Sequence, residues 1–163
     1  MTAAAGDDGW FARNVRDLTW HRDRPRGFVV ELVPRDSKVG VNLFVLGPGD
    51  PMSMYHWEGD QEGFLVLSGE AVLIVEDEER ALRQWDYFHC PPGVPHTIVG
   101  SGSRPVAILA LGGRAVDTGA YPYSELAMKH DASAEEETTE SKVAYARFPA
   151  EESAEFREEW LLP

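Results

Sequence analysis

The sequence predicts an all-β domain, and three observations support this prediction. Between residues 36 and 114, short β-type runs follow one another closely, Gly- and Pro-rich breaks separate them, and none keeps a helical period over a useful length. Closely spaced short strands with turn signals between them are typical of a sandwich or barrel. The predicted strands are 39–46, 52–58, 63–68, 71–76, 87–90, 97–99 and 106–111.

The 163 residues suit one domain with three parts, because a chain of this length buries roughly two-thirds of its unfolded surface. We expect residues 1–35 to form an N-terminal arm that packs on the barrel, residues 36–114 to form the barrel, and residues 115–163 to form a partly helical, acidic C-terminal extension. Within this extension, residues 150–161 predict a short helix that docks through Phe156 and Trp160.

The formal net charge of -13 argues against a nucleic-acid partner or an anionic membrane, because both would repel the protein. No apolar run approaches the roughly 20 residues that span a bilayer. The start, Met1–Asp8, lacks the positive flank and apolar core of a signal peptide. A single cysteine excludes an internal disulfide. We therefore expect a soluble, cytoplasmic protein that binds a small molecule.

Two short stretches contain the most informative residues. The first, 56–62, holds His56, Glu58 and Glu62, and the second, 91–96, ends in His96. Imidazole nitrogens and carboxylate oxygens at these spacings can converge on one divalent cation if neighbouring strands bring them together. Such donors suit iron, manganese, zinc or nickel. The sequence therefore predicts a site for one divalent metal ion per chain.

A period of two places these residues on strand faces. A strand over 52–58 turns His56 and Glu58 to one face, and the next strand turns Glu62 to the same side. The interior positions predicted with them are Met52, Met54, Phe64 and Val66. Leu65 and Leu67 would then point outward and need cover from a second layer, from the terminal segments or from a partner subunit. We expect a homodimer.

The stretch from Gly47 to Gly100 resembles the cupin superfamily. Glu62 and Gly69 keep the Glu-x6-Gly spacing of the first cupin motif, with His56 and Glu58 in its two His slots. Residues 91–96, Pro-Pro-Gly-Val-Pro-His, match the second motif. The resemblance implies a small bacterial single-domain cupin with a double-stranded β-helix (jelly roll), and metal ligation by His56, Glu58, Glu62 and His96.

This chain departs from the cupin pattern at three positions. Glu58 stands in a His slot, Trp85 replaces the Gly that opens the second motif, and Gly100 replaces its closing Asn. Glu58 is therefore a fourth ligand, a general base beside the metal, or an exposed carboxylate at a strand end. Gln61 replaces Glu58 if the register slips by one residue.

Three other groups of residues have weaker claims to the site. Alternation along strand 87–90 favours Phe88 and Cys90 inside, and His89 outside. Arg114, just past the last strand, is a candidate contact for an anionic substrate. The aromatic residues that could edge a pocket mouth are Tyr55, Trp57, Tyr121 and Tyr123.

The predicted function is that of a mononuclear metalloenzyme acting on a small polar metabolite. Two His and one carboxylate with open positions favour a dioxygenase if the metal is iron, and isomerase or lyase chemistry with a Lewis-acid metal. The alternative is a non-catalytic ligand-binding or structural cupin whose metal only stabilises the barrel. A sensory module that works with a DNA-binding partner is a third possibility, although this chain has no basic helix-turn-helix pattern.

Overall fold

The computed structural model describes residues 9–22, 25 and 27–161. It confirms the predicted all-β class: twelve strands and two short α-helices are present in this part of the chain. The predictions made for Met1–Asp8 lie outside the described residues. No helix among the described residues has the length and apolar character needed to cross a membrane.

Seven strands form the large sheet, in the order β12-β1-β2-β3-β10-β5-β8 with all neighbours antiparallel. A three-stranded sheet has the order β7-β6-β9, and β11 pairs with β4. The strands, in chain order, are β1 Trp20–Arg22, β2 Phe28–Glu31, β3 Val39–Leu46, β4 Trp57–Glu58, β5 Glu62–Ser68, β6 Glu70–Val75, β7 Glu78–Arg83, β8 Tyr87–Cys90, β9 His96–Ser101, β10 Val106–Gly113, β11 Gly119–Ala120 and β12 Glu152–Ala154. The helices are α1 Glu125–Met128 and α2 Ser141–Ala144, with 3-10 turns at Val15–Asp17 and Glu158–Leu161.

The main core lies between the two larger sheets, as expected for a jelly roll. Alternate residues of the large sheet, such as Phe64, Val66 and Ile108, meet Leu73 and Ile98 of the small sheet. All five are at most 4% exposed. The other buried members of this cluster are Leu46, Met52, Ala71, Cys90, Val106 and Ala110.

The outer face of the large sheet is covered by both ends of the chain. Trp20 of β1 and Trp160 of the last 3-10 turn are buried there, with ring centroids 4.8 Å apart. Leu67, which the sequence predicts to point outward, packs against this cluster. The terminal segments therefore supply the cover that Leu67 needs. The N-terminal segment does so as two added strands, β1 and β2, rather than as an irregular arm.

Three sequence-based expectations about secondary structure are wrong. Residues 52–58 form only one isolated bridge, at His56, and the two-residue strand β4, and a second isolated bridge at Pro51 precedes them. Met54 therefore leaves the barrel interior and packs against Ala134, Ala144 and Phe148. Irregular backbone in this stretch breaks the strict alternation on which the interior assignment depended.

The other two differences involve β7 and the C-terminal helix. Glu76 and Asp77 make a turn with positive φ, and β7 follows at once, although its charged and mostly exposed residues give no buried face to detect. In place of a helix over 150–161, β12 pairs with β1 and a 3-10 turn follows. Pairing with Trp20–Arg22 satisfies the backbone there, and no local pattern reveals such a distant partner.

Trp85, in the turn between β7 and β8, has a backbone that suits glycine. Its φ is +74° and its side chain is 68% exposed, so the residue occupies a left-handed conformation with little burial in return. In this conformation a residue with a Cβ is destabilised by about 1–2 kcal/mol relative to glycine. The larger entropy that glycine loses on folding offsets only about 0.5–1 kcal/mol of this difference. The substitution of the usual cupin Gly therefore stores local strain.

We predict that Trp85→Gly is more stable than Trp85→Ala by roughly 0.5–1 kcal/mol, because both remove the indole and only glycine relieves the backbone. Urea unfolding followed by circular dichroism measures the difference. The same pair of substitutions at Tyr87, which is exposed and has no positive φ, is the control, and alanine should be the more stable there. A glycine variant that is less stable than the alanine variant at residue 85 would show that the turn is unstrained.

Candidate metal centre and cavity

A pair of backbone hydrogen bonds brings His56 and His96 together. His56 N–H donates to the carbonyl of His96 at 3.1 Å, and His96 N–H donates to the carbonyl of His56 at 2.8 Å. This antiparallel bridge joins the irregular segment before β4 to the start of β9. The two residues stand directly opposite each other, and their ring centroids are 5.1 Å apart.

Both imidazoles are oriented by the carbonyl two residues earlier in the chain. His56 Nδ1 lies 2.8 Å from the Met54 carbonyl oxygen, and His96 Nδ1 lies 3.0 Å from that of Val94. A carbonyl oxygen only accepts, so each Nδ1 carries the donated proton. In the neutral rings, Nε2 is then left with a free lone pair. This is the tautomer that metal-binding His adopts, with the second nitrogen held by an outer partner.

Glu62, the first residue of β5, completes a group of three converging donors. Ligand atoms of His56, Glu62 and His96 all lie within 4.8 Å of one another, and His96 Nε2 is 3.2 Å from Glu62 Oε2. That contact lacks hydrogen-bond geometry, and Glu62 Oε2 is a buried oxygen with no hydrogen-bond partner among the described residues.

The donor set fits a divalent cation. Donors at about 2.1 Å from one ion lie roughly 3.0–3.4 Å from each other, as His96 and Glu62 do. A buried carboxylate oxygen is costly without a cation or a donor. Two neutral imidazoles and one carboxylate would leave coordination positions open on the cavity side. His56, Glu62 and His96 are therefore the residues that would hold the metal.

Glu58 lies beside this group but does not converge with it. Its Oε1 is 3.4 Å from His56 Nε2, and its side chain is 44% exposed, compared with 13% for Glu62. Interaction with His56 lowers the pKa of Glu58, partly opposed by burial, so the carboxylate is ionised at neutral pH. Glu58 would stabilise a proton on His56 Nε2, so a proton and a cation are alternatives at this nitrogen.

A cavity of about 300 Å³ opens beside the three donors. This volume is at the lower end of the range for small-molecule sites. The walls near the core are apolar, and polar groups surround the mouth. The lining residues are Gly40, Asn42, Phe44, Met52, Ser53, His56, Glu58, Glu62, Phe64, His96, Thr97, Ile98, Ala110, Leu111, Gly112, Gly113, Arg114, Tyr121 and Tyr145.

The C-terminal extension supplies one wall of the cavity. Tyr121 stacks on His56 with centroids 5.7 Å apart and planes at 29°, and Tyr145 meets Tyr121 edge-on. Burial raises the pKa of Tyr121, so its hydroxyl stays protonated. The Tyr145 hydroxyl accepts a hydrogen bond from Met54 N–H at 3.0 Å, which fixes the backbone next to His56.

The structure separates the weaker candidates from one another. His89 and Gln61 are exposed and do not line the cavity, whereas Arg114 and Tyr121 do. Cys90 lies 3.2 Å from His96 Nδ1, and burial raises the pKa of its thiol to about 12. Tyr55 is buried in the packing of α1 against the small sheet.

Sequence reasoning missed Asn42, Ser53 and Tyr145 as lining residues. Asn42 lies within a strand that reads as core, and Tyr145 lies 24 residues after Tyr121 in a segment without strand pattern. The signal available for Asn42 was its polarity between the apolar neighbours Val41 and Leu43. Nothing local marks Tyr145.

Comparisons with known proteins agree on the fold. Residues 42–112 match the family model described as a cupin domain (Cupin_2). A structure described as a sugar phosphate isomerase from a cupin superfamily, from Silicibacter pomeroyi, is 28% identical with a TM-score of 0.54, over 61% of this chain and 66% of that one. A search among curated proteins finds no match.

Two further structures are similar in fold alone. One, described as a candidate sugar phosphate isomerase from Acidithiobacillus ferrooxidans, is 24% identical with a TM-score of 0.50, over 57% of this chain and 63% of that one. The other, described as a predicted oxalate decarboxylase from Thermotoga maritima, is 18% identical with a TM-score of 0.59, over 63% of this chain and 98% of that one. This chain thus spans less than two thirds of either isomerase-described structure.

We predict that Glu62→Gln weakens Zn²⁺ binding about 100-fold, because it removes the one buried anionic ligand, whereas Glu58→Gln changes the Kd less than about fivefold. Competition titration against a chromophoric chelator measures both constants. His89→Ala, which removes an exposed imidazole from β8, is the control and should bind as the wild type does. Equal losses in the two Glu variants would make Glu58 a ligand.

Proposed function

We propose that this chain, whose residues 42–112 match a cupin domain model, is a mononuclear metal-dependent enzyme acting on a small hydroxy-carbonyl metabolite by proton transfer. Metal ligation would come from His56, Glu62 and His96. Glu58 would serve as the group that moves the proton.

One observation carries the proposal. Ligand atoms of His56, Glu62 and His96 lie within 4.8 Å of one another at the wall of a cavity large enough for a small metabolite, and Glu62 Oε2 is buried without a hydrogen-bond partner among the described residues. A metal that only stabilised the barrel would need no such space beside it. Phe64 and Ile98 make the inner wall apolar, so a bound molecule is shielded from water on that side.

When bound, a divalent metal would supply Lewis-acid polarisation of a carbonyl or hydroxyl oxygen. The chain's own residues supply the rest. Glu58 is ionised and lines the cavity mouth, where it can take a proton from the carbon next to the carbonyl and return it to a neighbouring position. Tyr121 stays protonated above His56 and can donate a hydrogen bond to a developing negative charge on oxygen.

The isomerase form of the proposal has support from a relative, the Silicibacter pomeroyi structure described as a sugar phosphate isomerase. A second candidate, a dioxygenase, is favoured by the ligand set itself, since two His and one carboxylate with open positions suit Fe(II) and O₂. The two candidates differ in an observable way. Only the dioxygenase consumes O₂, and only the proton-transfer enzyme exchanges a substrate C–H with solvent.

We predict that the metal-loaded protein exchanges solvent deuterium into the carbon next to the carbonyl of small hydroxyaldehydes, hydroxyketones or hydroxyacids. Proton NMR in D₂O detects this for a mixed panel without knowledge of the product. Glu58→Gln should slow the exchange about 10²–10⁴-fold, because an amide cannot take the proton.

The control for this experiment is Glu79→Gln, which removes an exposed carboxylate near the start of β7 and should leave the exchange rate unchanged. Oxygen uptake by the Fe(II)-loaded protein without C–H exchange would replace the proposal with the dioxygenase. A protein that binds metal but shows neither activity with the panel would be a non-catalytic cupin.

A further inference from the structure

We infer that the substrate is a small hydroxycarboxylate with a second carbonyl group: its carboxylate binds Arg114, at the end of the cavity away from the metal ligands, and its other carbonyl lies at the metal end. This inference rests on the proposed function for the position of the reacting end and deepens it by naming the substrate class. Arg114 lies two residues beyond the matched cupin segment, so it belongs to the part of the chain that is not shared with the family model.

The first step is the open row that joins the two ends of the cavity. Glu62 of β5, Gly112 of β10 and Gly40 of β3 are direct neighbours across three adjacent strands. Two inter-strand spacings separate Glu62 from Gly40, about 10 Å. A Cβ added at Gly112 would meet nothing closer than Glu62 Cγ at 3.8 Å. No side chain therefore covers the backbone of Gly112 between the two ends of the cavity. A ligand that touches both ends is therefore metabolite-sized.

The second step is the cation at the far end. A Cβ at Gly40 would lie 3.0 Å from Arg114 Nε, so the guanidinium stands directly over this glycine. Arg114 is held by the carbonyls of Pro34 and Arg35, both at 2.9 Å, and by Glu31 Oε1 at 2.5 Å. These three contacts fix the position of the side chain in the cavity wall. A positioned guanidinium suits a carboxylate, which it can bind through two parallel hydrogen bonds.

The third step is the charge balance around Arg114. Its partner Glu31 also pairs with Arg35, at 3.7 Å, so two guanidinium groups share one carboxylate. This cluster therefore carries one net positive charge in a chain whose net charge is -13. Arg114 is the one Arg or Lys among the described residues that line the cavity. A single net charge complements a monoanionic carboxylate better than a dianionic phosphate ester.

The fourth step is the unpaired acceptor between the two ends. Asn42 Oδ1 is buried and has no hydrogen-bond partner among the described residues, and Asn42 lines the cavity two residues from Gly40 on β3. Leaving a buried amide oxygen unpaired costs about 1–3 kcal/mol. A substrate hydroxyl is a donor that would satisfy it. An acceptor beside a cation therefore selects a molecule that carries both a hydroxyl and a carboxylate.

The test is calorimetric titration of the full chain, loaded with redox-inert Zn²⁺, with four- to six-carbon hydroxycarboxylates that carry a keto or aldehyde group, glycerol 3-phosphate and erythritol. We expect at least one hydroxycarboxylate to bind more tightly than the phosphate ester and the neutral polyol. Arg114→Ala should weaken it about 10–100-fold, because a charge-assisted bidentate contact is lost. The control is Arg80→Ala, which removes a 66% exposed guanidinium of β7 that pairs with Glu78 and does not line the cavity, and which should change the Kd less than about threefold.

A second variant covers the case in which Arg114→Ala loses the anchor of the Pro34–Arg35 turn and fails to fold. Gly112→Ala places a methyl group in the open space between the two ends of the cavity without a steric clash. The variant should therefore keep Zn²⁺ binding but bind the carboxylate ligand at least about tenfold more weakly. Binding of the polyol or the phosphate ester as tight as that of every carboxylate would overturn the inference. So would equal effects of the Arg114 and Arg80 variants.

Failure of the proposed function gives a different result. If Zn²⁺ does not bind the wild-type protein, the metal centre is wrong, and the same panel is titrated against the metal-free wild type and Arg114→Ala. A carboxylate that binds the wild type and not the variant would keep the Arg114 anchor without the metal centre. No difference between the two would overturn the anchor as well.

Discussion

The candidate site depends on the reciprocal backbone hydrogen bonds between His56 and His96. They fasten an irregular segment to the first residue of β9, and so they place two imidazoles opposite each other with no regular strand on one side. Each ring then donates to the carbonyl two residues earlier, and ligand atoms of both rings lie within 4.8 Å of a Glu62 carboxylate oxygen. The geometry of the candidate site is thus largely set by main-chain contacts. A shift of this bridge would separate the donors and expose a carboxylate that is now buried.

The residues that line the cavity come from two parts of the chain. The segment that matches the cupin model contains the three converging donors, Glu58 and the apolar inner wall. Flanking residues outside it, namely Gly40, Arg114, Tyr121 and Tyr145, shape the mouth and the far end. Under the proposed function, the matched segment would hold the metal, and the residues outside it would decide which molecule fits the cavity. The same extensions cover the outer faces of both sheets, so the elements that shape the cavity also stabilise the fold.

The sequence predicted most of the barrel because its strands alternate or are continuously apolar between clear turns, and β3 and β8 have the expected bounds. It failed at β7, since charged residues on an exposed strand produce no pattern, and at Met54, since an irregular segment does not preserve alternation. For the site, motif spacing identified His56, Glu62 and His96, which the structure brings together. The motif left the role of Glu58 open, because this residue stands in a His slot and only its burial and its distances distinguish a ligand from a neighbouring carboxylate.

The sequence by itself therefore determined the all-β class, the types of donor and their order along the chain. These properties can be predicted from short segments, because a short apolar run indicates a strand and fixed spacings define a motif. The tertiary structure alone decided that Glu62 is buried without a hydrogen-bond partner, that Tyr145 closes the cavity and that Arg114 stands over Gly40. Each of these contacts joins residues far apart in the chain. Their closeness is set by how sheets and extensions pack, and this packing minimises exposed apolar surface over the whole domain rather than over any one segment.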